Sequence, residues 1–478
     1  MPNDVGWRDS RAAVRAVLSE ERVRLLFRLV GFCLIAVVAL ATWRFLAGPL
    51  PVEERMVLLL LMLAVGFWTS EVIPAYAVGL FIIGFLVFAL GTDIILDEPR
   101  EVSQYVDTWS SQVVWIMLGG FVLADGMSRT GLDRELLMRA VRPAGTRPDR
   151  VLLAVMLSAA FASMFISNTS TTVLLVGAVL PLVRELGPND PFGRNLLVAI
   201  PLAASVGGMG TIIGSSPNAI AVGMAAEFGA TIDFVRWMVI GVPPALLLVI
   251  AAWYFLCRRY PSESDRVALD FGTDDDVDLP AKRDRIIVSS TAILTVALWM
   301  TTPLHGIHAA AISLIPIVVL SMTQVLNASR VRSLPWDTLM LIAGGLSLGE
   351  AVVDTGLAAR LASGLTVLGT LDSALLGLFV LAVVTVVLSN FMSNTATVAL
   401  ILPIAVAILP GYEVEVCLVL GLSASCALLL PVSTPPNAIA HASGMVQTRD
   451  FRPGGLLVGV LGPVVVIAWV TLIGRVVT

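Results

Sequence analysis

The tripeptide Ser-Asn-Thr occurs twice in this chain, at Ser167-Asn168-Thr169 and at Ser393-Asn394-Thr395. Each copy is followed by a second polar stretch that ends in Pro-Asn-Ala-Ile-Ala. These stretches run from Ser215 to Ala221 and from Thr434 to Ala440. Ser, Asn and Thr are preferred helix N-cap residues, and proline suits the first helical turn. The sequence therefore predicts a helix N-terminus after each of four breaks. Such a terminus presents unpaired N–H groups and about half a positive charge, which is anion-binding chemistry. The hydroxyls and amides of the two tripeptides add further donors. Oxygen-rich loops of exposed carbonyls with Ser, Thr and Asn side chains suit a hard cation such as Na⁺.

Equally informative is what the surrounding segments lack. No Lys or Arg lies in 151–183, 195–235 or 371–448. A dianion bound at the breaks would meet no fixed cation there. Its charge would fall to helix dipoles, hydroxyls and co-bound cations, so Na⁺ would help to make the anion site.

The elements that must position these residues are membrane helices. Hydrophobic residues make up 57% of 478, charged residues 14%, and the mean hydropathy is +0.91. Apolar runs of about 20 residues, the length that crosses a bilayer, recur along the chain. The net charge of −5 says little, because charge in such proteins is sorted by side. The first 28 residues are polar and Arg-rich and do not read as a cleavable signal. Cys33, Cys257, Cys417 and Cys426 lie in or beside apolar segments without metal-ligand spacing and read as small apolar residues.

Spans are expected at about 25–46, 55–70, 73–91, 110–128, 195–226, 234–257, 285–302, 307–326, 336–352, 414–446 and 454–475. The two Ser-Asn-Thr regions, about 151–183 and 373–410, read instead as re-entrant hairpins with the tripeptide at the tip. Around the first tripeptide each arm would be roughly 21–24 Å at 1.5 Å per residue, short of the roughly 30 Å hydrocarbon core. Polar, irregular backbone at that depth is tolerable only when it is buried in protein or lines a cavity. Eleven spans and two non-crossing hairpins, with the N-terminus inside, place 24 of the 30 basic residues on the cytoplasmic side. Letting either hairpin cross would invert the loops after it. The first hairpin is thus expected to enter from the cytoplasm and the second from outside.

The two halves also correspond in order. Gly119-Gly120 and Thr130-Gly131-Leu132 recur 225 positions later as Gly344-Gly345 and Thr355-Gly356-Leu357. The expected organisation is an N-terminal cytoplasmic segment 1–24, a first transmembrane helix in 25–50, repeat 1 over 51–258, a cytoplasmic linker 259–284 and repeat 2 over 285–478. The repeats would have inverted topology. Helices broken at matching points of two inverted repeats are the sequence pointer to a substrate site near the bilayer midplane. Isolated helix caps or ordinary kinks would not recur in this paired order.

With these motifs in hand, the chain resembles the divalent-anion/Na⁺ symporter family over about residues 50–478. The resemblance rests on the paired Ser-Asn-Thr motifs and on Thr434-Pro435-Pro436-Asn437-Ala438-Ile439. It implies an all-α polytopic fold of eleven transmembrane helices plus two re-entrant hairpins, a homodimer formed through a scaffold domain, and an elevator-type movement of a transport domain. It implies a first Na⁺ site at Ser163, Ser167, Asn168 and Gly214, and a second at Ser389, Met392, Asn394 and Ser433. Substrate carboxylates would meet Ser167, Asn168, Thr169, Ser215, Ser393, Asn394, Thr395, Thr434 and Pro435. Ser216 departs from a frequent second proline, and Ser389 and Ser433 stand where Thr and Ala are expected. Some relatives are exchangers that carry cationic side chains in place of Na⁺, and the absence of Lys and Arg near the tips favours the Na⁺ version.

The remaining candidates read mainly as structural. His441 reads as a packing residue near the second site, with a proton site as the sharper alternative. His305 and His308 have metal-like spacing without a third ligand. Asp125 and Glu350, 225 residues apart, read as helix-end hydrogen-bonding carboxylates, although intramembrane acids are functional suspects by default. Glu71 reads as an anchor of the turn between the second and third spans. No nucleotide loop, paired catalytic carboxylates or His-Glu metal motif supports an enzyme. The sequence therefore predicts a multi-pass cell-membrane transporter without an organic cofactor or nucleic-acid partner. It would couple Na⁺ to a C4-dicarboxylate such as succinate, fumarate or malate. Sulfate or citrate transport, or Na⁺-independent exchange, remain open.

Overall fold

The computed structural model describes residues 29–44, 48, 50–187, 190–262, 266–267, 282–364 and 374–477. The N-terminal segment 1–24, the first residues of the first expected span and most of the 259–284 linker lie outside the described residues. So does Arg28, with every basic residue before it.

The described residues are helical, with no strand among them. The helices are α1 (Leu29–Arg44), α2 (Val52–Ser70), α3 (Ala75–Leu90), α4 (Ser103–Asp107), α5 (Gln112–Thr130), α6 (Leu132–Val141), α7 (Pro148–Ser163), α8 (Asn168–Leu186), α9 (Pro191–Gly207), α10 (Ser216–Glu227) and α11 (Phe234–Arg259). The second half continues with α12 (Lys282–Met300), α13 (Thr302–His305), α14 (Ala309–Met322), α15 (Ala328–Ser333), α16 (Trp336–Asp354), α17 (Leu357–Gly364), α18 (Ala374–Ser389), α19 (Asn394–Ile408), α20 (Glu413–Ser423), α21 (Pro435–Ala442) and α22 (Thr448–Val477). Among the described residues, six helices or merged helical stretches are long and apolar enough to cross a membrane by themselves. The protein is therefore an all-α, multi-pass membrane protein.

The repeated motifs have matching local structures. Thr130-Gly131-Leu132 and Thr355-Gly356-Leu357 each end one helix and begin the next. Gly131 (φ 66°) and Gly356 (φ 81°) take the left-handed conformation in which a side chain is strained. The Gly-Gly pairs mark close helix crossings. A Cβ on Gly344 would lie 2.3 Å from the Gly79 Cα, and one on Gly119 would lie 2.7 Å from the Ser313 Cβ. Thus α16 of the second half crosses α3 of the first, as α5 of the first crosses α14 of the second.

The core is built from the broken helices. The stretch Pro191–Gly210 is almost wholly buried inside the molecule, and α10 and α20 are buried along nearly their whole length. Helices that are apolar on every side belong in such a position. They pack across the two halves, α10 against α20 and α21 against α8 and α9. Large apolar side chains such as Leu247, Ile293, Val387 and Leu472 are exposed on the outer helices, where lipid rather than water can cover them.

One difference from the sequence reading concerns the first hairpin. Its second arm, α8, runs 19 residues from Asn168 to Leu186 rather than about 14. That is about 28 Å, nearly the hydrocarbon thickness. The helix continues through Pro181 and past the apolar stretch to Arg184 and Glu185. A proline loses one hydrogen bond in a helix without obligatorily ending it.

Candidate functional site

The four helix N-termini surround one central cavity of about 520 Å³. Its walls include Ser167, Asn168, Thr169, Ser215, Ser393, Asn394, Thr395, Thr434 and Pro435. All nine positions expected to meet the substrate therefore face a common space. Gly214 and Ser433 also line it, while Ser163, Ser389 and Met392 are buried and are not among its lining residues. Phe121 and Met117 of α5 and Pro335 and Thr338 near the start of α16 form other walls.

At the first tip, α7 ends at Ser163 and α8 restarts at Asn168. The Ser163 hydroxyl donates to Asn168 Oδ1. A Cβ placed on Gly208 would lie 2.9 Å from both Asn168 Oδ1 and the Gly214 carbonyl oxygen. One placed on Gly214 would lie 2.6 Å from the Gly208 oxygen and 3.1 Å from the Ser163 oxygen. Three carbonyl oxygens and an amide oxygen thus crowd around the facing Gly208 and Gly214, where no larger residue fits. That donor set is all oxygen and uncharged, which fits a monovalent hard cation. Asn218 holds the break open, because its Nδ2 donates to the carbonyls of Gly208 (2.9 Å) and Thr211 (2.7 Å). Thr211 in turn donates to the Met164 carbonyl and accepts from the Gly214 N–H at 3.0 Å. These bonds fasten the hairpin tip to the broken helix.

The second tip uses a related scheme with different residues. Asn437, which stands 219 positions after Asn218, donates to the carbonyls of Leu428 (3.2 Å) and Leu430 (2.9 Å). Asn390 Oδ1 accepts from the Leu429 N–H and from the Ser433 hydroxyl, both at 2.9 Å. The Ser433 hydroxyl also accepts from the Leu430 N–H at 3.1 Å, so it is committed to bracing the loop. Two buried oxygens nearby, Ser389 Oγ and Asn394 Oδ1, have no hydrogen-bond partner. A buried polar atom left unpaired is costly unless a ligand or ion completes it. Both belong to the set expected to hold the second Na⁺. Met392 is buried beside them, with its N–H bonded to the Leu388 carbonyl at 3.0 Å.

The caps differ between halves. Ser393 and Thr434 accept from the N–H groups of Ala396 (3.1 Å) and Asn437 (3.3 Å). Ser167 and Ser215 make no such side-chain cap. The first-half hydroxyls are therefore not committed to their own helix ends, and both residues line the cavity.

Three other sequence candidates have local roles. His441 Nδ1 is 3.1 Å from the Val446 carbonyl oxygen and its ring meets Phe451 edge-on, away from the cavity lining. His305 bonds the Leu298 carbonyl and the Ile307 N–H. Glu71, with φ 51°, ends α2 in the left-handed conformation and lines a smaller cavity of about 260 Å³ together with Ser393.

Asp125 departs from its helix-end reading. It lines the main cavity, and its Oδ1 lies 3.7 Å from an Arg330 nitrogen. Glu350, at the equivalent place in the second half, does not line that cavity and lies among Asp107, Glu227 and Asp354. Asn390 had no signal in the paired motifs, because the equivalent position in the first half is Met164. Asn218 and Asn437 were visible in the Pro-Asn motif, but their bracing of the broken helices was not.

Residues 56–416 match the citrate transporter family (CitMHS). The chain is 29% identical over 441 residues to the sodium-dependent dicarboxylate transporter SdcS of Staphylococcus saprophyticus, covering 84% of this chain and 82% of that protein. It is 28% identical over 478 residues to SdcS of Staphylococcus aureus, covering 92% and 90% respectively. The crystal structure of the YdaH transporter of Alcanivorax borkumensis is similar in fold, with a TM-score of 0.50 at 16% identity, covering 84% of this chain and 98% of that one.

Proposed function

The chain belongs to the citrate transporter family and is a membrane transporter of the divalent-anion/Na⁺ symporter kind, not an enzyme; from that premise we propose that it couples Na⁺ to the movement of a C4-dicarboxylate across the cell membrane. One observation carries the reading: two hairpin tips and two broken helices converge on a single cavity whose only ionisable lining residue, among those described, is Asp125. A dianion there has helix N-termini and hydroxyls on several sides but no lining Lys or Arg. Co-bound Na⁺ would supply the missing positive charge. The relatives' sodium-dependent dicarboxylate transport supports the same coupling.

In this reading, Ser163, Ser167, Asn168 and Gly214 hold one Na⁺ through the oxygen cluster at the first tip. Ser389, Met392, Asn394 and Ser433 hold a second, partly through main-chain carbonyls. The nine cavity-lining residues named above bind the two carboxylates. The protein has eleven spans and two re-entrant hairpins in inverted repeats, with its N-terminus in the cytoplasm. The cavity reaches the face of Ser128 and Ser333, beside Arg129, Arg330 and Arg332. The distribution of arginines supports reading this as the cytoplasmic face, which would make the conformation inward-open. The hairpins and broken helices of both halves, packed on one another, would move as one body against α2–α6 and α12–α17 of a homodimeric scaffold.

The test is uptake of labelled succinate into proteoliposomes with and without an inward Na⁺ gradient, competed by fumarate, citrate and sulfate. The expected result is uptake that needs the gradient and that fumarate inhibits. Asn168→Ala and Asn394→Ala should each abolish this uptake in a protein that still elutes as a folded species. Gradient-driven uptake of citrate or sulfate in place of succinate would change the substrate, and uptake driven only by internal dicarboxylate would make the protein an exchanger.

A further inference from the structure

Asp125 puts a carboxylate on the wall of the cavity that the reading above gives to a dianion. Its carboxylate lines the wall one helical turn from Phe121 and two from Met117, on the same stripe of α5. Oδ2 is buried without a hydrogen-bond partner. An uncompensated charge there would repel a dianion along the path between the tips and the open mouth.

Arg330 stands opposite, three residues before the lining residue Ser333. Its backbone is held firmly. Asn327 accepts from the Arg330 N–H at 3.1 Å, Trp336 donates to the Val331 carbonyl at 2.7 Å, and Arg129 donates to the Val325 carbonyl. Its side chain is 45% exposed. The 3.7 Å separation from Asp125 exceeds hydrogen-bond length. The two groups are thus electrostatically paired while the guanidinium keeps donors for a second carboxylate.

Given the dianion reading above, we infer that Asp125 and Arg330 form a charge-balancing pair on the substrate path. Arg330 cancels the repulsion of Asp125 and receives a carboxylate at the cavity mouth. Asp125 in turn keeps Arg330 from retaining that dianion, so that it is released. The pair positions substrate in transit, and neither residue belongs to the Na⁺ or tip sets named above.

The test is a double-mutant cycle on succinate uptake in proteoliposomes, reading KM and turnover separately. Arg330→Gln should raise KM roughly tenfold, the size expected for an unbalanced charge near a dianion. Asp125→Asn should lower KM and slow turnover. The double variant should return KM to near the wild-type value, and Arg330→Lys should recover most of the affinity if Arg330→Gln folds poorly. A purely structural pair would not move KM in opposite directions. KM unchanged in Arg330→Gln, or raised in both single variants with the effects adding in the double, would overturn the inference. Wild-type protein that moves no dianion would instead bring down the transport reading, and this inference with it.

Discussion

The chemistry of this site rests on which oxygens are free and which are bound. At the first tip, Asn168 Oδ1 and the Gly214 carbonyl crowd Gly208, and the carbonyls of Gly208 and Ser163 crowd Gly214. At the second, Ser389 Oγ and Asn394 Oδ1 are buried and unpartnered. A Gly214→Ala side chain would come within 2.6 Å of the Gly208 oxygen, closer than a Cβ approaches any backbone atom without something shifting. Gly214 does not use a left-handed backbone conformation, so alanine is excluded by space alone. The Na⁺ concentration for half-maximal uptake should rise about tenfold or more in Gly214→Ala, equivalent to about 1.4 kcal/mol. An unchanged Na⁺ dependence would remove this oxygen cluster from the Na⁺ site.

Whole helices set those oxygens in place. The chain leaves α9 and α20 short and restarts them at α10 and α21, and each gap is spanned by one asparagine that takes two carbonyls. Removing that amide in Asn218→Ala or Asn437→Ala takes the side-chain donor from the Gly208 or Leu428 carbonyl, at about 1–3 kcal/mol, while Thr211 and Leu430 keep the backbone N–H groups of Gly214 and Ser433. Either variant should melt at a clearly lower temperature in detergent. A melting temperature equal to wild type would mean that water or neighbouring groups brace the break instead. Much of this level was legible in the sequence, because cap residues, prolines and glycines act locally. The Ser-Asn-Thr motifs did begin helices, and the Thr-Gly-Leu triplets, read from the sequence only as a mark of duplication, prove also to end them. The length of α8 was misjudged because a helix can run past its apolar stretch. Asn390 and the Asp125–Arg330 pair were invisible as partners, because their contacts join residues 43 and 205 positions apart. No local periodicity reports contacts of that kind.

At the scale of the molecule, the duplicated order of elements produces paired contacts. The crossing of α3 with α16 is matched by that of α14 with α5, and α10 on α20 is matched by α21 on α9. Two halves built this way bring their tips to one place, while their equivalent carboxylates part company. Asp125 lines the open cavity and Glu350 does not. A cavity that serves one face at a time is what a single shared site requires of alternating access. The central claim is that Na⁺ and the dianion complete each other's site. Binding linkage is then reciprocal: Na⁺ must raise succinate affinity by the same factor by which succinate raises Na⁺ affinity. The most direct measurement is calorimetric titration of the purified protein with succinate across a series of Na⁺ concentrations, and with Na⁺ with and without succinate. The account predicts equal enhancement in both directions and its loss in Asn168→Ala and Asn394→Ala. Succinate binding that is tight without Na⁺ and indifferent to its concentration would contradict it.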